Sequence, residues 1–139
     1  MSTEPSIFTR IINREIPAAI VYEDEHTIAF LTIEPITKGH TLVVPKIPFT
    51  NILDGDAEHL GHLMNTTKKV GNALIKAGFG TAVNVIMNCG EAAGQEVFHA
   101  HFHVVPRNKH DHALATPNHI RYIDDESIQI ANTISRALS

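Results

Sequence analysis

Apolar positions follow two different periods along this chain, and the switches between them mark its elements. The alternation is cleanest around residues 98–105, where Phe98, Ala100, Phe102 and Val104 are interleaved with His99, His101 and His103, and Val105 continues the histidine row. A period of two is the signature of a strand whose successive side chains point to opposite faces. It predicts a strand with one face for the core and the other carrying a row of imidazoles. Gly94 to Val97 lead into it and Pro106-Arg107 close it. Residues 19–23 and 27–33 predict a hairpin around the polar turn Glu23-Asp24-Glu25-His26. Residues 41–44, Thr-Leu-Val-Val, predict a buried strand that stops at Pro45, and residues 81–88 alternate Val83, Val85 and Met87 with Asn84 and Ile86 as a further strand.

Elsewhere the period lengthens. Residues 56–77 place apolar side chains at 60, 63, 64, 70, 74 and 75, a helical stripe with Asp54 or Asp56 available as cap and Gly78 just past its end. Residues 6–13 predict a short amphipathic helix carrying Ile7, Phe8, Ile11 and Ile12, with Ser6 as N-cap. Residues 125–138 predict a closing helix with Ile128, Ala131, Ile134 and Leu138 on one stripe. Its acidic residues lie at the start and Arg136 near the end, the favourable sense for the helix dipole. Residues 108–122 are polar and aperiodic, and read as a mobile or partner-dependent extension. Helices placed outside hairpin-joined strands, with no βαβ alternation, predict an α+β fold on an antiparallel sheet.

Composition narrows the function. A chain of 139 residues fits one domain over 1–139 and can bury a core without a disulfide or metal. A net charge of −4 gives no general attraction for nucleic acid or an anionic membrane, so neither is expected as a partner and any phosphate site must be built locally. No apolar run approaches about 18 residues and the start, MSTEPSIFTR, has no basic segment followed by an apolar one; a cytoplasmic protein is expected. The single cysteine, Cys89, excludes an intramolecular disulfide and a cysteine-rich zinc site.

The oddity is ten histidines. His26, His59, His62, His110, His112 and His119 sit in polar surroundings or on helix faces and read as surface residues. His40, just before the buried strand, and the row His99, His101 and His103 differ. Histidines two apart on a strand have backbones about 7 Å apart. Two imidazolium charges at that distance repel by about 2 kcal/mol at an effective dielectric near 20, so at least one ring stays neutral. A neutral imidazole serves as nucleophile, general base or metal ligand. A metal site would suit three alternating histidines, but no supporting carboxylates are identifiable, and Glu96, three residues from His99, falls on the opposite strand face. Phosphoryl or nucleotidyl transfer is the other reading: Asn88, Gly90, Gly94 and Gln95 offer amide and backbone donors beside the imidazoles.

His99-Ala100-His101-Phe102-His103-Val104-Val105 resembles the motif of the histidine-triad (HIT) family. The resemblance, closest to bacterial-type HIT-like proteins, extends through Ser6-Ile7-Phe8, Glu15-Ile16-Pro17-Ala18, Ala29-Phe30, residues 39–46 from Gly39-His40 to Pro45-Lys46, and Asn88 to Gln95. It implies an α+β homodimer in which two five-stranded antiparallel sheets join, with one long helix and shorter N- and C-terminal helices. It also implies hydrolysis or transfer at the α-phosphorus of nucleoside phosphoramidates or dinucleoside polyphosphates, releasing a nucleoside monophosphate such as AMP. By matching position His101 is the nucleophile, His99 and His40 orient it, and His103 contacts the phosphate. Asn88, Gly94 and Gln95 bind phosphate, and Ile7, Phe8, Phe30, Leu31 and Ile33 wall the base pocket. Two positions depart from the family: Thr32 stands where a ribose-holding Asp is common, and Glu96 where Ser or Thr hands a proton to the leaving group. Thr9, Ile12 and Pro48 replace the other ligands of the family's structural zinc, so no metal or cofactor is expected. The alternative reading is a purine-nucleotide-binding regulatory module with little turnover.

Overall fold

The computed structural model describes residues 5–138. Five strands, β1 (Ile20–Glu23), β2 (Thr27–Leu31), β3 (Thr41–Pro45), β4 (Ala82–Ile86) and β5 (Phe102–Arg107), form one sheet in the order β1-β2-β3-β5-β4, every neighbouring pair antiparallel. The helices are α1 (Ile7–Ile12), α2 (Ala57–Lys76) and α3 (Glu126–Ala137). The expected α+β architecture is present, and Ser6 and Asp56 cap α1 and α2 by accepting from the N–H groups of Thr9 and His59.

The sheet is covered on both faces. On one, Ile28, Phe30, Leu42 and Val44 pack against Phe8 and Ile11 of α1. On the other, Ala29, Val43, Phe102 and Val104 meet Leu63, Val70 and Leu74 of α2. This is why β3 reads as an unbroken apolar run: all five of its residues are buried, and a strand covered on both faces has no solvent side to alternate with. Facing partners across a ladder share a face. His103 pairs with Leu42 on β3 and with Ile86 on β4, so it opens toward the α1 side of the sheet.

Two expectations change. The strand predicted through the whole histidine row begins only at Phe102. Val97, Phe98 and His99 lie in bends beside the β3–α2 connection instead, where the Ala100 N–H donates to the Phe49 carbonyl at 2.7 Å. The C-terminal helix forms as predicted, but none of its residues is buried among the described residues.

Candidate active site

Hydrogen bonds fix the proton positions on all four histidines that the sequence singles out. His99, 1% exposed, has its Nε2 at 2.9 Å from the Pro45 carbonyl. A carbonyl only accepts, so this nitrogen carries the proton. Nδ1 keeps its lone pair and accepts from the Ser6 hydroxyl at 2.7 Å. Ser6 Oγ itself accepts from the Thr9 N–H at 3.1 Å, so the cap of α1 is also the latch of His99. His101 places Nδ1 at 2.8 Å from the His99 carbonyl and must donate there, which leaves the lone pair on Nε2. The His101 and Phe8 rings form a T-shaped pair, 4.9 Å between centroids.

A second relay runs from the loop before β3. The Ile36 N–H donates to His40 Nδ1 at 3.0 Å, so the proton of the neutral His40 ring is on Nε2, which lies 3.0 Å from His103 Nδ1. His103 therefore accepts at Nδ1 and carries its own proton on Nε2. Among the described residues neither His101 Nε2 nor His103 Nε2 has a hydrogen-bond partner, and no buried side-chain polar atom is left unpartnered, so both nitrogens reach solvent. The two rings lie 5.0 Å apart between centroids. A lone pair and an N–H donor thus stand side by side at one opening.

This geometry revises the expected connections. The His99 ring orients nothing directly; its carbonyl does so. His40 holds His103, not His101.

Burial pushes the pKa of His40, His99 and His101 below the ordinary histidine value, opposed at His99 by the Pro45 carbonyl and at His101 by the His99 carbonyl. His103 is lowered to about 4, first by burial and then by the neighbouring His101 and His40. The fold therefore excludes protons that the unfolded chain binds below about pH 6.5. Stability is full above that pH and is lost as pH falls toward about 4, so urea unfolding midpoints are expected to be lower at about pH 5 than at about pH 7.5. Equal midpoints would contradict neutral rings.

Gln95 is placed differently from its expected role. Its buried amide uses every bond it has on the protein: Oε1 accepts from Asn51 Nδ2 at 3.0 Å and from the Gly90 N–H at 2.9 Å, while Nε2 donates to the Thr50 and Val97 carbonyls at 2.7 and 3.1 Å. It clamps three loops together and has no donor left for a phosphate. Thr50 and Asn51, which hold it, carry no motif that marks them in the sequence. Gly90 and Gly94 both have positive φ, 98° and 96°, and bracket a single 3₁₀ turn, Glu91–Ala93. Asn88 lies against this loop, with Nδ2 3.4 Å from the Gly94 carbonyl. Glu96 is exposed, and its carboxyl has no hydrogen bond among the described residues.

The apolar set divides. Phe8 and Phe30 are core, 6% and 3% exposed and packed edge to face. Ile7, Leu31 and Ile33 are 47%, 39% and 93% exposed and remain available to a ligand. The Thr32 hydroxyl accepts from the Glu34 N–H at 3.2 Å and keeps its own proton to donate.

A five-stranded antiparallel sheet with paired, neutral histidines at the start of its fourth-ranked strand defines a narrow class. Residues 13–110 match the family model described as HIT domain. An uncharacterized HIT-like protein of Methanocaldococcus jannaschii is 43% identical over 122 residues, covering 88% of this chain and 94% of that protein. The crystal structure of a HIT family member from Bacillus subtilis superposes with a TM-score of 0.89 at 35% identity, covering 98% of this chain and 99% of that one. An adenylylsulfatase of Arabidopsis thaliana is 30% identical over 135 residues, 95% of this chain and 68% of that protein. The chain belongs to the HIT family.

Proposed function

We propose that this protein is a nucleotide hydrolase or transferase that works through a nucleotidyl-histidine on His101. The observation that carries the reading is the solvent-facing lone pair of His101 Nε2 beside the solvent-facing N–H of His103. In the first step His101 Nε2 attacks the α-phosphorus, the P–N bond forms and the bond to the leaving group breaks. The ring becomes a cation whose Nδ1–H already points at the His99 carbonyl, an acceptor placed where positive charge develops. His103 Nε2–H donates to a phosphoryl oxygen. In the second step water attacks phosphorus, the P–N bond breaks, nucleoside monophosphate leaves and His101 recovers its lone pair.

The remaining roles follow from exposure and spare donors. Asn88 and the Gly94 loop border the phosphate, Ile7, Leu31 and Ile33 take the purine, and the Thr32 hydroxyl donates to a ribose oxygen. Gln95 acts by holding the loops. Glu96, exposed just after Gln95, passes a proton taken from solvent water to the departing group. Glu96→Gln is expected to lower kcat about 100-fold for an amine leaving group and much less for a phosphate one; steady-state kinetics on both substrates checks this, and a change confined to KM contradicts it. The protein acts in the cytoplasm as a homodimer, with residues 1–139 as one domain and residues 108–139 its extension.

Nucleoside phosphoramidates and dinucleoside polyphosphates are the substrate classes. Incubation of the wild type with an adenosine phosphoramidate, and separately with a diadenosine polyphosphate, is expected to release AMP from at least one. AMP binding without release from either would support the regulatory binding module, which the absence of an Asp at position 32 favours.

A further inference from the structure

The backbone at His99 is not held by the sheet: Val97 to His99 lie in bends, and β5 with its ladder pairing starts only at Phe102. The buried ring does the holding. Nε2–H donates to the Pro45 carbonyl at the end of β3, and Nδ1 faces Ser6, the N-cap of α1, so the imidazole is pinned between the sheet and the helix that covers it. With both ring nitrogens fixed, the carbonyl of the same residue is fixed as well. That carbonyl receives Nδ1–H of His101, and the hold on His99 therefore decides where the His101 lone pair points.

The Nδ1 end of this pin depends on one proton. A serine hydroxyl has a single hydrogen and two lone pairs. Ser6 Oγ accepts from the Thr9 N–H at 3.1 Å and lies 3.3 Å from the Thr9 hydroxyl, which leaves its hydrogen for His99 Nδ1 at 2.7 Å. Among the described residues the other donor near that nitrogen is the Thr9 hydroxyl, at 3.4 Å, beyond the range of a good O–H hydrogen bond. Without the Ser6 hydroxyl, a nitrogen in a ring only 1% exposed loses its short donor. A buried acceptor left without a donor is unfavourable, and a turn of the ring to relieve it moves the carbonyl. The same residue starts the helix whose Phe8 packs against His99 at 5.8 Å and His101 at 4.9 Å between centroids, so both supports of the nucleophile begin at Ser6.

We infer that Ser6 is a positioning residue for the nucleophile: by donating to His99 Nδ1 it holds the His99 carbonyl in line with His101 Nδ1–H and so keeps the His101 lone pair on Nε2. It acts through two hydrogen bonds in series and touches no substrate in this role. When His101 becomes a cation on attack, its Nδ1–H bond to the carbonyl strengthens, so a carbonyl out of line costs more in the transition state than in the bound substrate. The effect therefore falls on kcat and not on KM. The inference rests on the nucleotidyl-histidine proposed above and adds what keeps that histidine in its reactive tautomer.

Three substitutions separate the donated proton from the helix cap. Ser6→Thr keeps both, Ser6→Asp keeps the cap but as a carboxylate has no proton to give, and Ser6→Val has the shape of threonine with neither. On the adenosine phosphoramidate and diadenosine polyphosphate, Ser6→Thr is expected to stay within about threefold of wild type, while Ser6→Asp and Ser6→Val lower kcat about 30-fold with KM within about threefold. Ring ¹⁵N NMR supplies a readout that a cap alone does not move and that needs no turnover. Wild type and Ser6→Thr are expected to carry the His99 proton on Nε2 and the His101 proton on Nδ1, and Ser6→Val to populate the Nε2–H form of His101. Thermal unfolding of each variant confirms that the body is folded. Wild-type kcat in Ser6→Asp or Ser6→Val overturns the inference, as does a Ser6→Thr protein as slow as Ser6→Val or a wild-type His99 protonated on Nδ1. A wild type that releases no AMP from either substrate overturns the nucleotidyl-histidine reading instead; the positioning of the ring is then upheld by a redistributed His101 tautomer in Ser6→Val and overturned by an unchanged one.

Discussion

His101→Ala is expected to lower AMP release on the order of 10⁴-fold or more, while AMP binding stays within about tenfold of wild type. The asymmetry follows from how the ring is held. Its one hydrogen bond among the described residues is the donation from Nδ1 to the His99 carbonyl, and its ring makes T-shaped pairs with Phe8 and His103. Removing it takes away the attacking lone pair but leaves the donor side of the site in place: the His40–His103 relay, the glycine-bracketed loop and the exposed apolar residues do not depend on it. His103→Ala makes the useful contrast. It removes a donor to the phosphoryl oxygen and keeps the nucleophile, so its loss is expected to be nearer 10²-fold. Substrate turnover and equilibrium AMP binding on both variants check this, and His101→Ala retaining turnover would end the nucleophile assignment.

Gln95→Leu is expected to destabilise the fold by about 3 kcal/mol and to lower Tm by about 10 °C. Leucine fills nearly the same volume, so the effect comes from polarity. Four partners, Asn51 Nδ2, the Gly90 N–H and the carbonyls of Thr50 and Val97, lose their bonds at once. Some of these recover water at the surface, which keeps the sum below four full penalties. Because Gly90 and Gly94 are set by this clamp, activity is expected to fall as well, through the loop and not through chemistry at Gln95. Gln95→Glu sharpens the point: its oxygens still accept from Asn51 and Gly90, but the second oxygen then faces two carbonyls. It is expected to be destabilised too, as measured by scanning calorimetry. A Gln95→Leu protein with wild-type Tm and weakened phosphate binding would return Gln95 to a direct ligand role.

The sheet and its covering helices were legible because period and caps are local properties. The hairpin around the polar turn at 23–26, the apolar run at 41–44 and the stripe of α2 each report on their own residues, and Ser6 and Asp56 announce the helix starts. The histidine row misled in one respect. The period of two predicts a strand from Phe98, but the backbone bends at Val97 to His99 and ladder pairing begins at Phe102; His99, Ala100 and His101 are buried in succession because loop and helix residues cover them from more than one side. What distinguishes the two stretches is where the N–H groups go, and the Ala100 N–H goes to Phe49, about a third of the chain away in sequence.

The site was legible in its membership and not in its wiring. The row and His40 stand out by residue type, but which histidine holds which depends on contacts such as Ser6 to His99 that span 93 positions. Gln95 shows the same limit, because a side-chain amide that serves a phosphate and one that serves three loops are the same letter. The stripe of α3 was visible as well, and only the structure shows that the described residues leave it exposed.

The stereochemical course at phosphorus tests the central claim most directly. Hydrolysis of a substrate made chiral at the α-phosphorus, followed by determination of the configuration in the released monophosphate, counts the displacements. A nucleotidyl-histidine requires two in-line displacements and predicts net retention; inversion would mean that water attacks phosphorus directly and that His101 forms no covalent intermediate.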